Sequence, residues 1–366
     1  MIAADSVVAY GFSSAFTENF LRSINERLRA RVVFSDVRVH PLFLSVSAKN
    51  IEVSDLDSPS FKVLAGESAS ARVDLFSLLF RRKVFLSSLR FKKFHLKAIQ
   101  DTQGVLNLEK IFEPEAGRGF RNYFHGWKHQ DWFFNAYARL KFAARRAPPE
   151  HRRDRPVFKI GSIAFEDGFL VLTDRTARAV VFNGIDLKIK DLRWYRTGEI
   201  RMAEVSARGN LAAPRPGRFE LQVKRDRRQV LAFLSVKTLD LMLFKPLYVK
   251  TSPVYFERGF ITWTSSARMT SDRLWSSHRV KFEDHRLRST TAWSPESEAV
   301  LSALNRHPSF ELRFKIIEDQ GRILFEGMEE SVAAVLKKDF NPKTIRSIQA
   351  RTSEELQTLA ERFQKA

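Results

Sequence analysis

The side chains able to do acid–base, metal or nucleophilic chemistry are present in this chain, but they are scattered. Of its eight histidines, His125 and His129 stand four apart and would share one face of a helix. A zinc site wants three or four ligands, so the pair reads either as half a site or as a solvated helix face. Asp167 and Asp174 flank a segment that reads as a hairpin, and turn and strand-end roles account for both. No phosphate-cradling glycine loop, Gly-x-Ser-x-Gly elbow or His-Glu-x-x-His pair occurs. With no Cys, disulfides, thiolate metal sites and cysteine nucleophiles are excluded. The expectation is a protein that is not an enzyme, with no cofactor and no metal.

Two features of composition bear on partners. The 366 residues carry a formal net charge of +20, and there are 32 Phe against 6 Tyr. The charge sets up a positive field that suits anionic partners. Phe lacks a polar handle, so a Phe bias suits surfaces that stay dry. No run of about 18 apolar residues is present, so no membrane-spanning helix is expected. The first residues are too short and too weakly charged a stretch to read as a secretory signal.

The elements that would position these residues are mostly strands. Residues 12–29 come first and read as an amphipathic helix, with Phe12, Phe16, Phe20, Ile24 and Leu28 every fourth residue. Such a helix lies on a membrane surface or packs on a sheet. Alternation then takes over, with a short helical segment at 73–80. The next part reads as a strand at 84–91, a tight Lys92-Lys93 turn, and a strand at 94–99. Residues 113–156 read as a helical insertion and basic linker, with Trp127, Trp132 and Phe133 among Arg and Lys. Those aromatics fit a lipid interface, single-stranded nucleic acid, or a helix face against a sheet. Asp167-Gly168 is the strongest hairpin dipeptide in the chain. Strands continue to about residue 283. A final hairpin runs through Phe310, Leu312, Phe314 and Ile316, turns at 318–321, and returns through Ile323. Helices are expected at 295–305, 329–338 and 353–364, the last opening at Ser353. A weak internal repeat pairs Ser88-Leu89-Arg90-Phe91 with Ser162-Ile163-Ala164-Phe165.

The expected divisions are a helix at 1–31, a β region at 32–112, the insertion at 113–156, a second β region at 157–290, and a helix–hairpin–helix segment at 291–366. The fold class is mainly β with flanking helices (α+β): an elongated, curved, antiparallel meandering sheet with an apolar inner face.

Three stretches are similar to the AsmA-like family of bacterial envelope proteins, in its less characterised branch, a domain of unknown function. The first runs from Val37 to Phe112 and ends in Gln103-Gly104-Val105-Leu106-Asn107-Leu108, which resembles the family's Gly-x-Leu-Asn-Leu signature. The second is Ile163-Ala164-Phe165-Glu166-Asp167-Gly168-Phe169-Leu170-Val171-Leu172-Thr173-Asp174. The third is Leu239-Asp240-Leu241 followed by Tyr255-Phe256-Glu257-Arg258-Gly259-Phe260-Ile261. The resemblance implies a protein on the periplasmic side of the inner membrane that contributes to outer-membrane biogenesis or phospholipid transfer. The chain departs from the family in lacking the N-terminal membrane helix; either it starts downstream of the true start, or residues 12–28 take over membrane contact.

On this reading Phe91, Phe165, Phe256 and Phe314 point to the inner, lipid-holding side of the sheet. Phe16, Phe20, Ile24, Trp127, Trp132 and Phe133 are the candidates for membrane contact. The partners are phospholipid or a membrane surface, with envelope proteins as further candidates. A scaffold with a closed core is the alternative. A nucleic-acid binder is the third reading, set aside because positive charge is spread along the strands rather than gathered into one known module.

Overall fold

The structure, a computed structural model, describes residues 30–40, 44–55, 62–74, 77, 80, 85–99, 156, 158–173, 179–194, 200–213, 215–226, 229–245, 254–270, 273–290, 295–319 and 322–365. The chain is mainly β with flanking helices. It divides into two compact units, one of residues 1–129 and 150–210, the other of residues 130–149 and 211–366. The helix expected at 12–29 and nearly all of the insertion at 113–156 lie outside the described residues. So do Phe16, Phe20, Ile24, Trp127, Trp132 and Phe133, and the Gly104–Leu108 run.

The first unit contains β1 (Ala30–His40), β2 (Ser45–Asp55), β3 (Lys62–Val73), β4 (Leu86–Ile99), β5 (Phe158–Thr173), β6 (Ala179–Trp194), β7 (Ile200–Arg201) and most of β8 (Glu204–Ala212). Strand order follows chain order, with β7 a two-residue side branch on β6. The described pairs are antiparallel except β4–β5, which is parallel. A hairpin cannot join parallel neighbours; the chain between them must return to the end where β4 began. The parallel register sets Ser88 beside Ser162, Leu89 beside Ile163, and Phe91 beside Phe165. The two copies of the sequence repeat therefore lie side by side, in step.

The second unit contains β9 (Gly217–Asp226), β10 (Gln229–Asp240), a 3-10 turn (Leu241–Phe244), β11 (Val254–Met269), β12 (Arg273–Ser289), α1 (Pro295–Arg306), β13 (Ser309–Asp319), β14 (Arg322–Glu326), α2 (Met328–Leu336) and α3 (Pro342–Lys365). Strands β9 to β14 form an antiparallel meander in chain order. The hairpin β13–β14 is the one expected from alternation.

Two sequence expectations fail here, for one reason. Lys92-Lys93 and Asp167-Gly168 are not turns; each lies inside a continuous strand, β4 and β5. Lys93 has φ 47° and Asp167 φ 54°, left-handed backbone within a strand; against β6 the Asp167 position is a bulge, with two residues of β5 facing one, whereas Lys93 faces Glu67 one to one. Asp-Gly satisfies that geometry as readily as a type I′ turn. The two left-handed residues fall between the same rungs, Lys92↔Glu166 and His95↔Phe169. Glu67 stands opposite Lys93 and pairs with it at 2.7 Å, and Asn50 (φ 47°) stands opposite Glu67. In β6 the left-handed residue is Gly184 (φ 55°), one irregularity further along, opposite Phe169. The second unit has its own set: Thr238 (φ 55°), Gly259 (φ 146°) and Asp284 (φ 48°), the last two between the rungs Arg258↔Arg286 and Phe260↔Glu283. Neighbouring strands thus share a crease. Amides released by a bulge find new acceptors: Asp167 N–H donates to Asp186 Oδ1 at 3.1 Å, and Asp284 N–H to the Pro308 carbonyl at 3.0 Å.

The helices of the second unit close strand edges. β12 outruns β13, whose pairing stops at Glu283. Beyond it the Asn305 amide of α1 takes the place of a strand, accepting from Leu287 N–H at 2.7 Å and donating to Leu287 O at 2.9 Å. β14 pairs with β13 only from Lys315 onward. Where it stops, Ser331 of α2 receives Arg313 N–H at 3.0 Å and donates to Arg313 O at 2.7 Å. Helix α3 begins eleven residues before the expected Ser353, at Pro342. Its N-cap is Asn341, whose side-chain oxygen accepts from Lys343 N–H at 3.0 Å and Thr344 N–H at 2.9 Å. Proline at the first helical position fits that cap. Ser353 is one residue within the continuing helix.

Candidate functional site

In both units one side of the sheet is apolar and the other charged. On the first, cross-strand rungs run Ala71–Leu89–Ile163–Ile189 and Ala69–Phe91–Phe165–Leu187. Beyond the crease the same side continues through Phe94 and the rung Val53–Leu64–Leu96–Leu170–Phe182. The left-handed residue at the crease shifts the alternation in β4 and β5 from odd to even numbers, and so keeps the apolar residues on one side.

Phe91 and Phe165, both expected to face this side, stack with centroids 4.8 Å apart and planes 9° apart. Phe94 meets Phe165 edge-on at 5.3 Å. Its ring also lies against Gly168, where a Cβ would collide with it. Phe94 is buried, whereas Phe91 and Phe165 stay half-buried.

Phe256 and Phe314 belong to the corresponding side of the second unit. Phe256 stacks on Phe282 at 5.6 Å, and Phe282 on Phe310 at 4.6 Å. His285 meets Phe310 edge-on at 4.7 Å. Phe314 stacks on His278 at 4.8 Å, and Trp263 lies 6.2 Å beyond. Phe256, Phe282, Phe310 and Phe314 are all half-buried. Sequence reading missed Phe282, Trp263 and His278, and had Phe310 in alternation with Phe314 without naming it as a site residue. The alternation His278, Val280, Phe282 was a signal that could have found two of them.

His278 is the polar member of this stack. The Ser276 hydroxyl lies 2.9 Å from His278 Nε2 and 3.2 Å from the Ile316 carbonyl. His278 Nδ1 and Trp263 Nε1 are buried with no hydrogen-bond partner. Burial lowers the His278 pKa to about 4. Burial also lowers that of His285, partly opposed by its hydrogen bond to the Leu304 carbonyl.

The opposite side of each unit carries ion pairs. Arg90 pairs with Glu166 at 3.2 Å, Lys62 with Glu52 at 2.6 Å, and Arg279 with Glu311 at 2.8 Å. Hydrogen bonds from Arg279, and then from Arg313, hold the Glu311 carboxyl below its ordinary pKa. Among the described residues no three of His, Asp and Glu gather as a metal site, and no helix is long and apolar enough to cross a membrane. What the arrangement offers chemically is apolar solvation along one side of a sheet and cationic attraction on the other. Comparison with family models, curated proteins and solved structures gave no match.

Proposed function

We propose that the chain is a non-enzymatic envelope protein whose apolar sheet sides hold the acyl chains of phospholipids. In this role, like the AsmA-like proteins its sequence resembles, it contributes to outer-membrane biogenesis or lipid transfer from the periplasmic side of the inner membrane. The supporting observation is the pair of aromatic rows, Phe91–Phe165 and Phe256–Phe282–Phe310, which stay half-buried on the apolar side of strands up to 17 residues long. An acyl chain laid along such a row gains about 25 cal/mol for each Å² of apolar surface removed from water. The test is purification without detergent, followed by extraction and mass spectrometry. Phospholipid near stoichiometric amounts is expected with the native chain. Its absence would overturn the reading and leave a structural scaffold.

A further inference from the structure

The charged side of the second unit has an exposed apolar strip near one end of its strands. Register places Leu324, Ile317, Trp275, Arg268, Leu231 and Lys224 in a single rung across β14, β13, β12, β11, β10 and β9. Trp275, Ile317, Leu324 and Leu231 are out of phase with the aromatic rows, so they point away from the proposed lipid-holding side. Trp275 is 44% exposed, Leu324 55% and Leu231 39%; Phe233, one rung further along, is 38% exposed. These are four of the seven large apolar side chains exposed among the described residues, and they sit together near one end of the strands.

Around them the described charges are mainly basic. Arg268 and Lys224 lie in the rung itself, Arg273 and Arg322 one step toward the strand ends, and Lys315 one step away. Asp319 is bound to Arg273 at 2.9 Å; Glu326 lies beside Lys315, and Asp226 ends β9. Five cations thus face three carboxylates. A strip with Trp at its centre and Arg and Lys at its margin matches a surface that is anionic outside and apolar just beneath. A phospholipid bilayer with anionic headgroups has both properties at those depths. The net charge of +20 adds long-range attraction to the same partner.

We infer that the strip Leu231–Trp275–Leu324 docks this unit on an anionic membrane surface, on the side of the sheet opposite the aromatic rows. This goes beyond lipid holding and does not need it: a protein that holds no acyl chain could still dock by this strip.

The experiment is flotation of the purified full chain with vesicles of phosphatidylcholine containing phosphatidylglycerol, and with vesicles of phosphatidylcholine alone. Binding to the mixed vesicles is expected, weakening as salt rises. Trp275→Ser with Leu324→Ser should reduce it at least tenfold without lowering the thermal midpoint, since both side chains are solvent-facing. Arg268→Gln with Lys224→Gln should weaken binding to anionic vesicles by a smaller factor and lessen its salt dependence. Vesicle binding unchanged by Trp275→Ser with Leu324→Ser would overturn the proposal, as would failure of the native chain to bind. A native dimer that the same pair of changes splits, with no vesicle binding, would reassign the strip to self-association. Co-purified phospholipid in a chain that fails to float would sink docking alone and leave lipid holding intact.

Discussion

At the scale of single residues, backbone conformation and burial matter more here than reactive groups. Asp167 holds φ 54°, a region that Asp tolerates and a β-branched side chain resists. Asp167→Val should therefore lower stability by about 1–2 kcal/mol, while Asp167→Gly should stay within about 0.5 kcal/mol of the native protein. Urea denaturation of the two variants checks this. His278 carries the pH dependence. Its folded pKa, about 4, lies below the ordinary 6.5, so between those values the unfolded chain takes up a proton that the folded chain refuses. Its contribution to stability is complete above pH 6.5 and lost as pH falls toward 4, with no further loss below. His278→Phe, which preserves the stack on Phe314, should flatten that part of the curve of denaturation midpoint against pH. His285 leaves a smaller slope of the same sign.

At the scale of elements, side chains that stand in for a missing strand are the sensitive points. Asn305 satisfies both backbone groups of buried Leu287. Asn305→Ala leaves a donor and an acceptor without partners and should cost about 1–3 kcal/mol. Asn305→Asp retains only the acceptor and should fall between, as measured by thermal or urea unfolding. The strands themselves were legible in the sequence because alternation survives on either side of each crease: Leu89 and Phe91 before it, Phe94, Leu96 and Ala98 after it. The creases were not legible as creases. A phase slip marked by Lys-Lys or Asp-Gly has the same local signature as a tight turn, and only the neighbouring strand's pairing tells them apart. The start of α3 was missed because acidic residues after Ser353 mimic a helix N-terminus, while the true cap, Asn341-Pro342, opens on a narrow apolar stripe, Ile345 and Ile348, among charged and polar residues. The candidate site was half legible. Phe91 and Phe165 were expected on one side and do stack, whereas the links from Phe256 to Phe310 and from Phe314 to Trp263 depend on registers that no single strand encodes.

At the scale of the whole molecule, lipid holding and membrane docking make separate demands on mutations. Replacing Phe91 and Phe165 by Ser removes the most exposed part of the first unit's aromatic row. It should reduce co-purified phospholipid at least severalfold while circular dichroism keeps its β signal. Unchanged lipid content would mean that the acyl chains lie elsewhere. The same variant should float with anionic vesicles as the native chain does, because Trp275 and Leu324 are untouched.

The parallel pair β4–β5 also sets an order of assembly. β9 joins β10 through residues 227–228 and β11 joins β12 through 270–272, and even the β10–β11 connection, 241–253, is far shorter than the one between β4 and β5, so each of these pairings closes a smaller loop. Joining β4 to β5 instead requires residues 100–157 to be looped out before a single rung can form. Loop-closure entropy is spent there before any contact repays it. Amides of β9 to β12 should become protected from hydrogen exchange first during refolding, and those of β4 and β5 later, in a slower phase. Pulse-labelled refolding of the full chain would resolve the two phases, and simultaneous protection would mean that β4 and β5 pair early despite the length of chain between them.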